Sequence, residues 1–319
     1  MNPSVVIGID LGGTNCRGAL VTGSGELLCL QNFATDIDSG FDCFWRRFLG
    51  FCRSMMADAQ AQGFLIEGLG LGFPGLVAAD GSITVAPNLP PFNGLALRER
   101  LCHELGMSVR VANDVNAIAL GEAHWGAGRD CSDFLMVTLG TGVGGGLIVR
   151  RQLWSGCDGA AGEVGHIVVE PDGYLCGCGS RGCLEQYASG PAVVRNYQAM
   201  VRRGTSKIHV PAVQPKTAEE VAVAALNGDA AAMGAFEVAG RYLGQVLAGV
   251  ANLLNLEAAV IGGGVGASFD LFLPSLRAEL EHRAFAVAAR RMQIKPALLG
   301  DKAGILGAAS LVREMLRAK

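Results

Sequence analysis

Charge is scarce in this chain: only 17% of its 319 residues are Asp, Glu, Lys or Arg, the net charge is −3, and no basic run exceeds Arg-Arg. A nucleic-acid surface needs clustered positive charge, so that class of partner is not expected. The isolated Arg pairs read as solvated helix faces. The sequence also lacks a basic start followed by an apolar stretch and a cleavage site, so no secretory leader is expected. Long apolar runs are missing too, because the longest, around Tyr242–Val265, is broken by Gln245, Asn252, Asn255 and Glu257. No membrane span is therefore expected. The ten cysteines do not spell a disulfide framework, since seven are scattered singly in apolar or helical contexts. Free cysteine in such places is usually a small core residue. A reducing compartment, the cytoplasm, follows as the expected location.

What is present is apolar bulk and glycine. Half the residues are hydrophobic, which excludes disorder, and the length suits two domains rather than one core. Forty-six glycines exceed the needs of helices and strands, and they cluster without a fixed repeat. They point to tight turns and close backbone approaches.

Along the chain, Val5–Ile9 reads as a buried strand ending at Asp10, Leu11-Gly-Gly-Thr-Asn15 as a turn, and Arg17–Val21 as a return strand. A third strand is expected near Glu26–Phe33. Ser39-Gly-Phe-Asp42 has the spacing of a helix-start box, and Phe41, Phe44, Trp45, Phe48, Cys52 and Met55 form the buried stripe of the helix after it. Further strands are expected at Ile66–Phe73 and Ser108–Ala112, with a helix over about 95–105 between them and another opening near Val115 or Asn116. From Phe134 the pattern restarts: strand Phe134–Thr138, turn Leu139-Gly-Thr-Gly142, return strand Gly144–Val149. Shifting the first hairpin by 128 residues lays Leu11-Gly12 on Leu139-Gly140 and Gly18 on Gly146. Two similar halves, each opening with a glycine-turn hairpin, are inferred. Helices are expected over about 190–203, 217–227, 229–255 and 303–318, and a strand at Ala258–Ile261 running into Gly262–Gly266. Gly240, Gly244, Ala248 and Gly249 on the long helix permit close packing, either inside the chain or across a homodimer.

The densest chemistry lies between Gly162 and Glu185. His166 is followed after nine residues by Cys176-Gly-Cys178-Gly-Ser-Arg-Gly-Cys183. Thiolates crowded on a tight knuckle suit a soft tetrahedral metal, zinc in a closed structural site, with His166 as fourth donor; unligated or redox cysteines are the alternative. Such a knot would hold Glu163 and Glu185 rigidly, which suits carboxylates that grip sugar hydroxyls.

Gly12, Gly13 and Thr14 in one turn, and Thr141 and Gly142 in the other, offer bare backbone N–H groups and hydroxyls to phosphate oxygens. No Gly-Lys-Ser/Thr follows either turn, so neither is a Walker loop, and each alone could be an ordinary hairpin. Together with Gly263 and Gly264, which can lie against a nucleotide, they describe a nucleotide cleft between two domains. Asp10 is placed either to cap its turn or to hold the Mg2+ that accompanies a triphosphate. Asp114 is either a helix N-cap or a general base that takes a proton from a sugar hydroxyl, with Asn113 beside it.

Asp10-Leu-Gly-Gly-Thr14, Asn113-Asp114, Leu139-Gly-Thr-Gly-Val-Gly-Gly-Gly146, Gly162-Glu-Val-Gly-His166 and Cys176-Gly-Cys-Gly-x-x-Gly-Cys183-Leu-Glu185 occur in this order. In this the chain resembles the ROK family of bacterial sugar kinases and repressors, in its glucokinase-like branch, from about residue 5 to 315. The resemblance implies an α/β fold of the actin-like ATPase (RNase H-like) type, duplicated, with nucleotide and sugar meeting between two domains. Residues 1–113 plus about 300–319 would form the small domain and 114–299 the large one carrying the zinc knuckle. It implies that Asn88, Asn113, Asp114, Glu163, His166 and Glu185 contact the sugar, with Asp114 as base and His166 bridging metal and sugar. The expected activity is ATP-dependent phosphorylation of a hexose, glucose at its 6-hydroxyl first. Fructose, allose, mannose or an N-acetylhexosamine is the alternative acceptor. Two departures stand out: Asn15 replaces a lysine that many relatives carry, and Leu-Pro-Pro-Phe follows Asn88 where many place a tryptophan. The family's repressors carry a DNA-binding segment ahead of the first strand; with only Met1–Ser4 there, that reading is disfavoured.

Overall fold

The computed structural model describes residues 3–204 and 215–317. It resolves into two compact units, Met1–Asp130 with Gly146–Ala161 and Leu298–Lys319, and Cys131–Gly145 with Gly162–Ala297.

The first unit runs β1 (Ser4–Leu11), β2 (Asn15–Thr22), β3 (Leu27–Ala34), α1 (Phe41–Ala61), β4 (Leu65–Phe73), the short hairpin β5 (Leu76–Val77) and β6 (Ile83–Val85), α2 (Leu97–Leu105), β7 (Val109–Asn113) and α3 (Asp114–Trp125). Its sheet has the order β3-β2-β1-β4-β7, antiparallel at the β1–β2–β3 hairpins and parallel from β1 through β4 to β7. Both faces of β1 are covered. Val5, Ile7 and Ile9 pack with Phe44, Phe48 and Cys52 of α1, while Val6 packs with Ile305, Ala309 and Val312 of the C-terminal helix Ala303–Arg317. This double burial explains why β1 reads as a continuous apolar run rather than an alternation. The helix-start box at Ser39 does not form. A 3-10 turn at Ile37–Ser39 precedes α1, the Ser39 hydroxyl donates to Asp36 Oδ2 at 2.6 Å, and Gly40 at φ 96° takes the N-cap position without a side-chain bond. Asp42 is one methylene shorter than the glutamate that closes such a box, and Ser39 is already engaged.

The later part of the chain runs β8 (Phe134–Leu139), β9 (Val143–Val149), β10 (Gln152–Trp154), α4 (Glu185–Ala188), α5 (Gly190–Arg202), α6 (Ala218–Leu226), α7 (Ala230–Leu254), β11 (Ala258–Gly262), α8 (Phe269–Arg283), α9 (Ala286–Arg291) and β12 (Gln293–Pro296). The second sheet has the order β10-β9-β8-β11-β12, the same connectivity as the first. The duplication inferred from two glycine-turn hairpins is thus carried through five strands. α6 opens on a capping box between Thr217 and Glu220, and α7 on Asp229, whose Oδ1 accepts from the N–H groups of Ala231 and Ala232.

Two sequence expectations change here. α8 was not anticipated, because Pro274 interrupts its helical signal. Its presence accounts for the small residues of α7: a side chain at Gly240 or Gly244 would run into the backbone of Phe272 or Leu276. Gly240 and Gly244 therefore serve an internal helix contact, whereas Gly249 is exposed with open space beside it. Also, α3 lies in the first unit, whose boundary after Asp130 falls later than the expected 113, because α3 packs along the C-terminal helix. The end of that helix beyond Arg317 lies outside the described residues. Among the described residues no helix is long and apolar enough to cross a membrane.

Candidate active site

In the first unit, the strand ends of the sheet carry the acidic residues. Asp10, near the end of β1, lies opposite Arg17 in the β1–β2 register, and Arg17 Nη1 meets Asp301 Oδ2 at 3.2 Å. Burial raises the Asp10 carboxyl above the usual carboxylate range, the Arg17 guanidinium opposes that shift, and Asp301 adds to it. Asp10 also abuts the first turn of the C-terminal helix. A Cβ at Gly304 would lie 2.6 Å from Asp10 Oδ2, so only glycine fits there without moving the carboxylate.

Asp114 is the first residue of α3, but it is not the cap. Asn113 holds that position, its Oδ1 accepting from the N–H groups of Val115 at 2.9 Å and Asn116 at 3.1 Å. The Asn113 amide donates to the Gly75 carbonyl at 3.1 Å and to Asp114 Oδ1 at 3.0 Å, and the Val115 N–H also reaches that oxygen at 2.9 Å. Asn113 therefore takes over the capping role and orients its neighbour. Loss of hydration, then the nearby Asp10 charge, pushes the Asp114 carboxyl up to about 7, against the pull of these hydrogen bonds. A carboxylate poised near neutrality has the proton affinity a general base needs.

The first glycine turn is closed by the Gly12 N–H on the Asn15 carbonyl at 2.8 Å, leaving Gly13 and Thr14 exposed. Thr35, fully buried, donates its hydroxyl to the Gly12 carbonyl at 2.7 Å and its N–H to the Thr14 carbonyl at 2.8 Å. Asn88 approaches the same turn: a Cβ on Gly13 would sit 3.9 Å from the Asn88 Cβ. Its loop is anchored by buried Ala86, Leu89 and Phe92, which leaves Asn88 exposed.

In the second unit, the other glycine turns and the histidine–cysteine segment form one packed block. The Leu139 carbonyl accepts from the Val265 N–H at 2.9 Å, which draws the Gly263-Gly264 loop after β11 against the Leu139–Gly142 turn. The Gly140 carbonyl accepts from the Gly190 N–H of α5 at 2.7 Å, while Thr141 remains exposed. Gly165, between Glu163 and His166, lies so close to the Val143 carbonyl that no side chain fits. Glu185 accepts from the Val143 N–H at 3.1 Å through Oε2, while Oε1 lies 3.8 Å from Cys176 Sγ.

His166, Cys176, Cys178 and Cys183 converge, with one donor atom from each lying within 4.8 Å of all the others. Cys178 and Cys183 sulfurs are 3.6 Å apart, close to the ~3.8 Å edge of a tetrahedron built on Zn–S bonds of about 2.3 Å. His166 Nδ1 faces Cys176 Sγ at 3.7 Å, whereas Nε2 faces Glu163 Oε2 at 3.8 Å. Burial pushes the Cys183 thiol up to about 12, so a thiolate there requires a cation. The donor set fits a single zinc ion with one imidazole nitrogen left over. Asp10, an oxygen donor with limited hydration, fits a hard cation such as magnesium.

The structure thus gathers Asp10, Gly12–Thr14, Asn88, Asn113 and Asp114 on the strand ends and loops of the first unit. It gathers Thr141, Gly142, Glu163, His166, Glu185, the cysteines and Gly263–Gly264 in the second. Sequence reasoning missed Thr35, which braces the first turn across 23 positions, and Gly304, which clears Asp10. A glycine in the first turn of a helix is a faint signal for the latter. Nothing local marks Thr35.

The chain is similar to known proteins along nearly its whole length. The ROK family profile matches residues 6–315. A glucokinase from Thermotoga maritima is 32% identical over 319 residues, covering 98% of each chain. The crystal structure of a ROK family glucokinase from Streptomyces griseus in complex with glucose and AMPPNP superimposes with TM-score 0.77 at 34% identity, covering 98% of this chain and 100% of that one. A ROK family transcriptional regulator, a homologue of the E. coli MLC protein, superimposes with TM-score 0.88 at 28% identity, covering 98% of this chain and 78% of that one.

Proposed function

This chain belongs to the ROK family, and from that premise we infer that it is an ATP-dependent glucose kinase. The acceptor is the 6-hydroxyl of glucose, and the base is Asp114. The observation that carries the reading is the state of Asp114: displaced from capping by Asn113, poorly hydrated, facing a second carboxylate, and poised near neutral pH.

Glu163 and Glu185 present acceptors to sugar hydroxyls, and His166, with Nδ1 on the metal, presents its Nε2–H as a donor. Asn88 and Asn113 add amides that donate and accept. Asp114 takes the proton of the attacking hydroxyl, which raises the nucleophilicity of its oxygen toward the terminal phosphorus. The bare turns at Gly12–Thr14 and Thr141–Gly142 cradle phosphate oxygens, and Gly263–Gly264 leaves room for the nucleoside. Asp10 would hold magnesium, which supplies neutralisation of triphosphate charge. His166, Cys176, Cys178 and Cys183 would hold zinc, which supplies rigidity rather than reactivity. We place the enzyme in the cytoplasm as a homo-oligomer, a dimer, with no nucleic-acid or membrane partner.

Sugar-dependent ADP release, measured across glucose, fructose, mannose, allose and N-acetylhexosamines with and without magnesium, tests this reading. Magnesium-dependent release with glucose as the best acceptor is expected. Absence of release with every sugar would favour the second reading, a sugar-responsive regulator, for which the likeness to the transcriptional regulator speaks.

A further inference from the structure

Glu185 carries two relationships that sugar binding alone does not explain. Its Oε2 accepts the Val143 N–H at 3.1 Å, a hydrogen bond to the residue that follows the Leu139–Gly142 turn and opens β9. The turn is shaped around that oxygen, since a Cβ on Gly142 would lie 2.6 Å from it. Its Oε1 faces the metal-ligand side, 3.8 Å from Cys176 Sγ. The carboxylate therefore has one oxygen at the Leu139–Gly142 turn and the other toward Cys176, while α4 holds its backbone.

We propose that Glu185 is a positioning residue for the nucleotide as well as a sugar contact: its Oε2 sets the geometry of the Gly140–Val143 turn, so that sugar seated on Glu185 and nucleotide seated on the turn stabilise each other. This rests on the kinase reading above, in which the turn receives phosphate and Glu185 receives sugar. The physical case is one of shared constraint. A carboxylate already ordered by a hydroxyl loses less freedom in holding the turn, and an ordered turn fixes the carboxylate for the next sugar. Linkage requires the effect to be reciprocal in the two affinities. Other bonds at the turn, Gly140 N–H on the Gly142 carbonyl, Gly190 N–H on the Gly140 carbonyl and Val265 N–H on the Leu139 carbonyl, are all backbone to backbone. Among the described residues, Glu185 is the sugar-binding candidate whose side chain is hydrogen-bonded at this turn.

Calorimetric binding by metal-loaded, full-length protein tests this without turnover. MgADP is titrated into sugar-free wild type, Glu185→Ala and Glu185→Gln, and glucose into nucleotide-free wild type, Glu185→Gln and Gly142→Ala. Glu185→Ala should weaken MgADP about tenfold, the size expected on losing a hydrogen bond to a charged acceptor. Glu185→Gln, whose amide oxygen can still accept from Val143, should recover MgADP binding to within about threefold while glucose binding stays weak. Gly142→Ala, which replaces no sugar-contacting residue but crowds Oε2 from the side of the turn, should weaken glucose at least about fivefold. Wild-type MgADP affinity in a metal-replete Glu185→Ala protein would overturn the proposal. If Glu185→Ala loses its metal, wild-type glucose affinity in Gly142→Ala overturns it. Failure of wild type to phosphorylate any hexose would instead sink the kinase reading, so the two failures are distinct.

Discussion

Replacing Asp114 with asparagine should make the protein more stable and nearly inactive at the same time. In the free protein the carboxyl is pushed to about 7, against roughly 3.9 for an unfolded aspartate. The sign follows from linkage. Below pH ~4 the group is neutral in both states and has no effect. As pH rises from about 4 to about 7, the unfolded chain ionises while the folded one resists, so stability is lost. Above about 7 the loss is complete. Three units correspond to an upper limit of about 4 kcal/mol, and water at the partly exposed edge of the residue reduces this to roughly 1–2 kcal/mol. Asparagine keeps Oδ1 for the Val115 N–H and the Asn113 amide but carries no charge to bury. With an unfolding entropy of about 2.1 cal/mol/K per residue, a chain of 319 residues gains roughly 1.5 °C per kcal/mol. Thermal unfolding without magnesium should therefore place Asp114→Asn roughly 2–3 °C above wild type at pH 8, with the difference vanishing near pH 4. Turnover should fall by at least ~100-fold, the range of general-base catalysis, and the wild-type rise of kcat/KM with pH through about 7 should disappear. A variant that keeps its turnover, or whose melting difference is the same at both pH values, would refute the assignment.

Three further outcomes are expected. Elemental analysis should find one zinc per chain, and Cys178→Ser should lose it and weaken glucose binding at least about tenfold by freeing the loop that carries Glu163 and Glu185. Gly304→Ala places a methyl 2.5–2.9 Å from three atoms of the Asp10 carboxyl, so the magnesium concentration for half-maximal rate should rise at least about fivefold; an unchanged requirement would remove Asp10 from the metal site. Thr35→Val removes the hydroxyl that holds the Gly12 carbonyl, which should raise the KM for ATP about five- to tenfold and leave the KM for glucose within about twofold.

Much of the fold can be read from apolar runs and caps. β1 and β8 announce themselves as uninterrupted hydrophobic strands before glycine turns, and α6 through its Thr217–Glu220 box. Their shared strand–turn–strand design foreshadows the matching orders of the two sheets. α8 was hidden because Pro274 removes a backbone donor, and β12 because four residues carry too little alternation. At the site, the spacing of His166, Cys176, Cys178 and Cys183 was informative because a tetrahedral ion demands four donors within a few ångströms. Asp114 was ambiguous in the sequence because cap and base occupy the same kind of position. Only the side-chain geometry assigns the cap to Asn113. The bond from Val143 to Glu185 joins residues 42 apart, and no local pattern records such a pairing.

In the proposed reaction a proton leaves one sugar hydroxyl toward Asp114 while carboxylates on a metal-stiffened loop hold the ring in place. Phosphorus NMR of the product formed from glucose and MgATP by the zinc-loaded protein tests it most directly. A single ester on the 6-oxygen is predicted, with none from 6-deoxyglucose and at least ~100-fold less from Asp114→Asn. An ester on another oxygen, or full product yield from the asparagine variant, would contradict it.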